Sequence, residues 1–187
     1  MNGGRPMNAR IKPIEAPYSP EIQADFDIIM PPGMPPLGIF KTVANNPRVL
    51  QRMVRGGLLD KGSISIGDRE LVILRTCGLC KAEYEWGVHV AAFSHQAKLS
   101  EQQVQDTLQA HIDIALWSEP QRAVLALVDQ LFLHKTVDGI LWAEISQHYE
   151  ADQIIELIML TGLYHAVSFM VNATQVEREP FAPAFPD

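Results

Sequence analysis

The chain has 187 residues, of which 47% are apolar and 20% charged, and its formal net charge is −7 at pH 7. This composition is typical of a globular domain large enough to bury its own core, and the negative charge argues against a broad electrostatic interaction with nucleic acid. The amino-terminal segment has no apolar stretch like that of a secretory signal, and Arg75, Glu156 and His165 interrupt the later apolar runs. We therefore expect a cytoplasmic protein that does not contact a membrane.

Prolines delimit the predicted domain. Residues 1–20 contain four prolines, which favour an extended amino-terminal arm over any regular element. Residues 179–187 are again rich in proline and form a predicted tail. Residues 21–178 between them are predicted to fold as a single helical domain.

Apolar residues in this domain recur at helical spacing, and no stretch shows the alternation of a half-buried strand. Asn46-Pro47 marks a helix boundary, and serines at 65, 100 and 118 are typical of helix amino termini. The sequence predicts a compact all-α array of about seven to nine helices. The predicted helices cover residues 21–30, 37–55 with a break at the proline, 66–78, 82–96, 101–109, 121–133, 139–149 and 151–176. The last of these is apolar nearly all round and is expected to be buried in the domain or in an oligomer interface.

Thirteen residues from Cys77 to His89 contain two thiols, two carboxylates and an imidazole. If a helix begins near Ala82, then Ala82, Glu85 and His89 lie on one face, and Glu85 and His89 can share a proton. The alternative is a solvated contact between residues four apart. The neighbouring Tyr84 and Trp86 favour the wall of a semi-buried pocket instead.

Several other side chains are weaker candidates. Glu70, one helix earlier, either joins the site or only interacts with the dipole of its own helix. Arg48, Arg52 and Arg55 line one side of their predicted helix and either bind a carboxylate or form a solvated face, and Tyr164 either reaches the pocket or packs in the core. The candidate substrate-binding residues are Tyr84, Trp86, Arg48, Arg52, Arg55, Arg75 and Tyr164.

The thiols permit two other kinds of site. Cys77 and Cys80 are close enough in sequence to form a redox disulfide, but a helix carboxyl terminus disfavours the Cys77 thiolate. Cys80, beside Lys81, is better placed for reactivity. A zinc site with two thiols, His89 and a carboxylate lacks the second Cys/His pair of most structural zinc sites, so no metal is predicted.

Four motifs resemble the carboxymuconolactone decarboxylase family, whose superfamily also contains alkyl hydroperoxidase D. They are Pro35-Pro-Leu-Gly-Ile-Phe40 with Asn46-Pro47, Arg69-Glu-Leu-Val-Ile-Leu-Arg75, Cys80-Lys-Ala-Glu-Tyr-Glu-Trp-Gly-Val-His89, and Leu163-Tyr164 to Val171-Asn172-Ala173. The resemblance implies a compact all-α fold, a homo-oligomer (dimer, trimer or hexamer) and an active site around the helix predicted over residues 82–96, which we call the motif helix.

The superfamily contains two chemistries. In the hydroperoxidase branch, two redox cysteines precede the motif histidine, and aligned on His89 their positions fall on Ala82 and Glu85. Glu70 and His89 match the acid and imidazole of that branch's proton relay. A thiol peroxidase (peroxiredoxin-type) activity would therefore depend on the displaced Cys77 and Cys80.

The decarboxylase branch requires no metal or organic cofactor, because its lactone substrate accepts the electrons left by departing CO₂. The resemblance thus implies a lyase of aromatic compound catabolism that acts on a small carboxylated lactone. His89 with Glu85 would handle the proton, Glu70 would tune the imidazole, and an arginine would bind the substrate carboxylate. A thiol peroxidase and a non-catalytic oligomeric binding protein are the two alternatives.

Overall fold

The structure is a computed structural model that describes residues 9–186. Within this range the chain forms nine α helices and one short 3₁₀ helix, without a β strand. The helices are α1 (Pro20–Ile29), α2 (Gly38–Val43), α3 (Pro47–Arg55), α4 (Ile66–Leu79), α5 (Glu83–Phe93), α6 (Glu101–Asp106), α7 (Glu119–His134), α8 (Gly139–Ile145) and α9 (Ala151–Thr174), with the 3₁₀ turn at Ile114–Leu116. The predicted all-α fold class is confirmed. Residues 1–8 of the expected arm and Asp187 of the expected tail lie outside the described residues.

The serine caps fix the starts of two helices that the sequence predicts. The Ser65 hydroxyl accepts a hydrogen bond from the Asp68 amide, and Ser100 forms a reciprocal capping box with Gln103. The carboxyl ends are less predictable. Helix α6 ends at Asp106 rather than near residue 109, because the Thr107 carbonyl turns to accept a hydrogen bond from Arg75.

Helix α4 is the centre of the fold and packs against α5, α7 and α9. Its residues 69–78 are all buried, including the charged side chains of Arg69, Glu70 and Arg75. Such residues are rarely buried without partners. The contacts made by these three side chains therefore show which of them belong to a site and which stabilise the fold.

Helix α9 has two different faces. Its inner face buries Leu157, Leu160 and Tyr164 against the core, whereas Ile155 and Phe169 on the outer face are each more than 60% exposed. By length and composition alone α9 could cross a membrane, and 44% of its most apolar window is buried in the fold. The single chain therefore covers only one side of this apolar helix.

The proline-rich tail lies along α5. Ala182 is buried, the Phe185 ring packs edge-on against Trp86 with 5.3 Å between centroids, and the Phe185 amide donates to Glu83 at 2.9 Å. Gly87 permits this approach, because a Cβ atom there would collide with the carbonyl of Pro183. The tail thus covers one side of the motif helix.

Candidate active site

Helices α4 and α5 bring a carboxylate and an imidazole together in the core. Glu70 Oε2 lies 2.7 Å from His89 Nδ1, and the two residues are 0% and 3% exposed. The Ser65 cap places Glu70 in the second turn of α4, and His89 lies in the second turn of α5. This short contact between buried groups holds the ring in one orientation, with Nδ1 directed at Glu70.

The other ring nitrogen faces α5 and α9. His89 Nε2 lies 2.9 Å from the Tyr164 hydroxyl and 3.5 Å from Glu85 Oε1. The second carboxylate oxygen of Glu85 is buried and has no hydrogen-bond partner. A buried oxygen of this kind is costly, and it can accept a proton or a ligand hydrogen bond. The predicted neighbours Glu70, Glu85, His89 and Tyr164 thus form one cluster.

The two carboxylates decide the charge of the imidazole. Burial by itself disfavours the charged ring, but the hydrogen bonds and negative charges of Glu70 and Glu85 outweigh it and raise the pKa of His89 to about 9. At neutral pH the ring is therefore an imidazolium that donates from both nitrogens. Burial and the same carboxylates raise the pKa of Tyr164 well above its usual value, so its hydroxyl stays protonated.

Arg69 is a further member of the cluster that the candidate residues did not include. Its Nε and Nη2 each lie 2.9 Å from Glu70 Oε1, and Nη1 donates to the Leu59 carbonyl at 2.7 Å. Its guanidinium lies over the Phe93 ring, 5.2 Å from the centroid. Arg69 is next to Glu70 in the Arg69-Glu-Leu motif, which was the one sequence signal that could have identified it.

The thiols lie beside this cluster in an environment that suppresses thiolate. Cys77 and Cys80 are both free; Cys77 is fully buried within α4, and Cys80 is half-buried at its carboxyl end. Burial, followed by the charge of Glu85, raises the pKa of Cys77 well above its usual value, and burial also raises that of Cys80. The Ser168 hydroxyl lies 4.0 Å from the Cys77 sulfur. Nucleophilic attack by either thiol is unfavourable at neutral pH.

The two aromatic candidates of the motif helix are engaged elsewhere. The Tyr84 hydroxyl donates to Glu179 at 2.7 Å and accepts from the Ile39 amide at 3.1 Å. The Trp86 indole donates to Thr107 at 3.2 Å. These bonds connect α5 to the rest of the fold.

The four arginine candidates make their contacts away from the His89 imidazole. Arg75 is buried, with two nitrogens on the Asp129 carboxylate at 2.6 and 2.9 Å and Nη1 on the carbonyls of Thr107 and Gln109. It therefore ties α4 to α7 and to the segment after α6. Helix α3 exposes Arg48, Arg52 and Arg55 to solvent. The guanidinium that contacts the cluster is that of Arg69.

The residues from 9 to 186 contain no group of three or more His, Cys, Asp and Glu side chains arranged to hold a metal ion. Five surface cavities of these residues are lined by groups other than Glu70, Glu85 and His89. The most apolar of them, the α5 cavity, has a volume of about 490 Å³. It is lined by Ile29, Met30, Pro31, Met34, Leu37, Phe40, Leu59, Val88, Ala91, Ala92, Phe93, Gln96 and Phe181.

Phe93 connects the α5 cavity to the cluster. Its ring lines the cavity and also lies 5.3 Å from the His89 ring, centroid to centroid. Leu59, which accepts the hydrogen bond from Arg69, lines the same cavity. Two residues that line the cavity therefore contact the cluster, Phe93 through His89 and Leu59 through Arg69.

The sequence model of the carboxymuconolactone decarboxylase family matches residues 47–130, which include Glu70, Glu85 and His89. The resemblance to this family is confirmed. The family match covers α3 to α6 and most of α7, whereas Tyr164 lies outside it. No curated protein matches the sequence.

Solved structures share the whole fold at low sequence identity. An uncharacterized peroxidase-related protein from Silicibacter sp. TM1040 is 19% identical, with a TM-score of 0.78 and full coverage of both chains. An alkylhydroperoxidase AhpD core protein from Ralstonia eutropha JMP134 is 18% identical, with a TM-score of 0.73 over 91% of this chain and 93% of that one. The debrominase Bmp8, in complex with 2,3,4-tribromopyrrole, is 18% identical, with a TM-score of 0.66 over 94% of each chain. These similarities establish an AhpD-like fold.

Proposed function

We propose that this chain is a cofactor-free acid–base enzyme that decarboxylates a small carboxylated lactone, with His89 as the proton donor. The observation that carries the proposal is the buried imidazole between two carboxylates, whose pKa of about 9 keeps it protonated at neutral pH. Loss of CO₂ leaves an electron pair on the substrate, and a proton has to be delivered to that anion. A charged imidazole in a site with little water is suited to supply it.

The electrons balance without an added oxidant or reductant. The bond between the substrate carbon and its carboxylate breaks, and the electron pair moves into the conjugated lactone as CO₂ departs. His89 Nε2 then donates its proton to a carbon of the delocalised anion. Glu70, 2.7 Å from Nδ1, stabilises the charged ring before the transfer and fixes its orientation. Glu85 and Tyr164 lie on the Nε2 side, where the Glu85 carboxylate can take a proton from solvent water and pass it to the ring.

Substrate binding is assigned to the α5 cavity and Arg69. The cavity offers an apolar volume of about 490 Å³ for the lactone ring, and the Arg69 guanidinium lies over the ring of Phe93, which lines the cavity. Displacement of the Phe93 ring would open the cavity onto both Arg69 and His89. An arginine fork is the usual partner of a carboxylate and would orient it for departure.

The thiol peroxidase alternative has less support in this chain. The names of two structural relatives contain the word peroxidase, but that description belongs to those proteins. Here burial raises the pKa of both thiols, and Ala82 and Glu85 occupy the positions of the redox cysteines. A non-catalytic binding protein is the alternative that the burial of His89 supports, since the ring is only 3% exposed.

The first experiment measures CO₂ release from 4-carboxymuconolactone by the purified protein. We expect turnover by the wild type, a loss of at least about 100-fold in His89→Gln, and a smaller loss in Glu85→Gln, as is usual for removal of an acid–base group. Glu83→Gln is the matched control, because Glu83 lies on the same helix and bonds to the tail. Wild-type turnover in His89→Gln would contradict the assignment.

A second pair of variants tests the cavity. Ala92→Trp fills the α5 cavity and should raise KM strongly, whereas Ala143→Trp, at an exposed position of α8, should leave KM unchanged. The alternatives give other results. Binding of the lactone without CO₂ release would favour the binding protein, and hydroperoxide reduction that Cys80→Ser abolishes would favour the thiol peroxidase.

A further inference from the structure

The lining of the α5 cavity differs in charge from that of the other cavities. Within residues 9–186, each of the four other cavities is lined by at least one charged side chain, such as Lys41 or Asp129. In the same range none of the residues that line the α5 cavity is charged, and Gln96 is the polar one. A ligand in this cavity therefore contacts an apolar surface on nearly every side.

The apolar surface continues to the opening of the α5 cavity. Met34 and Phe181 belong to the lining and are 52% and 55% exposed, which places them at the opening. Large apolar side chains that share an exposed edge are typical of a surface that a ligand covers. The volume of about 490 Å³ lies in the range of sites for small organic ligands, and a bare lactone ring would fill only part of it. The remaining space is suited to an apolar substituent on the ring.

The buried charges beside the cavity offer a partner for one additional carboxylate. Arg69 and protonated His89 are the cations of the cluster, and Glu70 and Glu85 are its anions, so the cluster is neutral overall. The carboxylate that departs as CO₂ is assigned to Arg69 and already adds one negative charge. A second carboxylate in the cavity would find no cation among the described lining residues, and its loss of water would be costly.

The arginines outside the cluster do not change this balance. Arg178 is close in sequence to Phe181 of the cavity, but its Nη1 donates to the Ala182 carbonyl at 3.2 Å, and its side chain lines two different cavities. The exposed arginines of α3 are also outside the lining of the α5 cavity. Arg69 is therefore the guanidinium to which the site can direct a substrate carboxylate.

We propose that the substrate of this site is a lactone with one carboxylate, which departs as CO₂, and an apolar substituent, which occupies the α5 cavity. The proposal rests on the proposed function and narrows it, because 4-carboxymuconolactone carries a second carboxylate that stays on the product. The reaction remains balanced. The bond to the departing carboxylate breaks, the electron pair moves into the lactone, and His89 delivers a proton to the anion. The products are CO₂ and an uncharged lactone.

Two lactones that differ in one group test the substrate class. Both carry the ring and the departing carboxylate. The first is 4-carboxymuconolactone, and the second has a butyl group in place of the carboxymethyl group, which has the same number of non-hydrogen atoms. We expect kcat/KM for CO₂ release to be at least about tenfold higher for the butyl lactone, mainly through a lower KM. An equal or higher kcat/KM for 4-carboxymuconolactone would overturn the proposal and leave the proposed function standing.

A cation added to the cavity should change this preference. Gln96→Arg places a guanidinium on the lining and should raise kcat/KM for 4-carboxymuconolactone at least about tenfold. Gln147→Arg is the matched control, because it adds the same charge at an exposed position after α8 and should leave the ratio of the two kcat/KM values unchanged. A wild-type ratio in Gln96→Arg would contradict the proposal. Circular dichroism melting verifies that both variants fold.

Calorimetry separates this proposal from the proposed function, because binding requires no turnover. In the wild type and in His89→Gln, the butyl lactone should bind at least about tenfold more tightly than 4-carboxymuconolactone. Ala92→Trp, which fills the cavity, should abolish the difference. If neither lactone releases CO₂ but the difference in Kd is present, the decarboxylase assignment fails and the ligand class stands. Equal Kd values, or a difference that Ala92→Trp leaves intact, would overturn the proposal.

Discussion

Replacement of Glu85 by glutamine tests whether buried carboxylates keep His89 charged. Glutamine preserves the size of the side chain and removes its negative charge. The rise of the His89 pKa from 6.5 to about 9 corresponds to about 3 kcal/mol in favour of the imidazolium. Glu70 contributes the larger part, because its oxygen lies 2.7 Å from the ring, whereas that of Glu85 lies 3.5 Å away.

We expect Glu85→Gln to lower the His89 pKa by about one unit, because one unit corresponds to about 1.4 kcal/mol, the free energy of a weak hydrogen bond to a charged group. The assay is an NMR titration of the histidine ring protons, with the His89 resonance assigned through His89→Gln. The matched control is Glu83→Gln, which lies on the same helix and should leave the His89 pKa unchanged.

The same variant changes the pH dependence of stability. The pKa of His89 is higher in the folded protein than in the unfolded chain. Its contribution to the free energy of unfolding is therefore complete below pH 6.5 and is lost as the pH rises through about 9. In Glu85→Gln the loss should be smaller and should occur at lower pH, as measured by urea unfolding at intervals from pH 6 to 10. The reasoning is refuted if wild-type His89 titrates near 6.5, or if Glu85→Gln leaves its pKa unchanged.

Three other substitutions or modifications test the surroundings of the site. Arg75→Gln should lower the free energy of unfolding, measured in urea, by about 3 kcal/mol or more, because Asp129 and two carbonyls lose their partner. Arg52→Gln, at an exposed position, should have little effect. Equal urea midpoints for the two variants would contradict this prediction. A thiol reagent at pH 7.5 should modify Cys80 slowly and Cys77 only after unfolding, because burial raises both pKa values. Cys80→Ser is the control that identifies which thiol reacts. Rapid reaction of both thiols in the folded protein would contradict this expectation. Gly87→Ala should displace the tail from α5, so that the tail is cleaved faster by a protease and the free energy of unfolding falls by about 1–3 kcal/mol. Gly139→Ala should have none of these effects, because its added Cβ would meet no atom within 4 Å.

The helices could be predicted because their causes are local. Apolar periodicity and the serine caps lie within each segment, so the starts of α4 and α6 follow from a few neighbouring residues. Helix ends were less accurate, because a tertiary contact such as that of the Thr107 carbonyl with Arg75 decides where the chain turns.

Side chains with the same chemistry could not be separated by sequence. Arg75 and Arg69 both lie on α4, and only the packing of that helix directs one to Asp129 and the other to Glu70. A pattern of charges along the chain gives no distance between helices that are remote in sequence. Arg69 was missed for this reason.

The sequence by itself predicted an all-α chain that resembles the carboxymuconolactone decarboxylase family, with Glu85 and His89 on one helical face, because helical periodicity and motif spacing are properties of short segments. Only the tertiary structure decided that Glu70 and Tyr164, the latter 75 positions from His89, contact the two ring nitrogens. Only the tertiary structure also showed that Cys77 is buried and Cys80 half-buried. These features depend on how α4, α5 and α9 pack, and packing removes water from the groups whose pKa values then change.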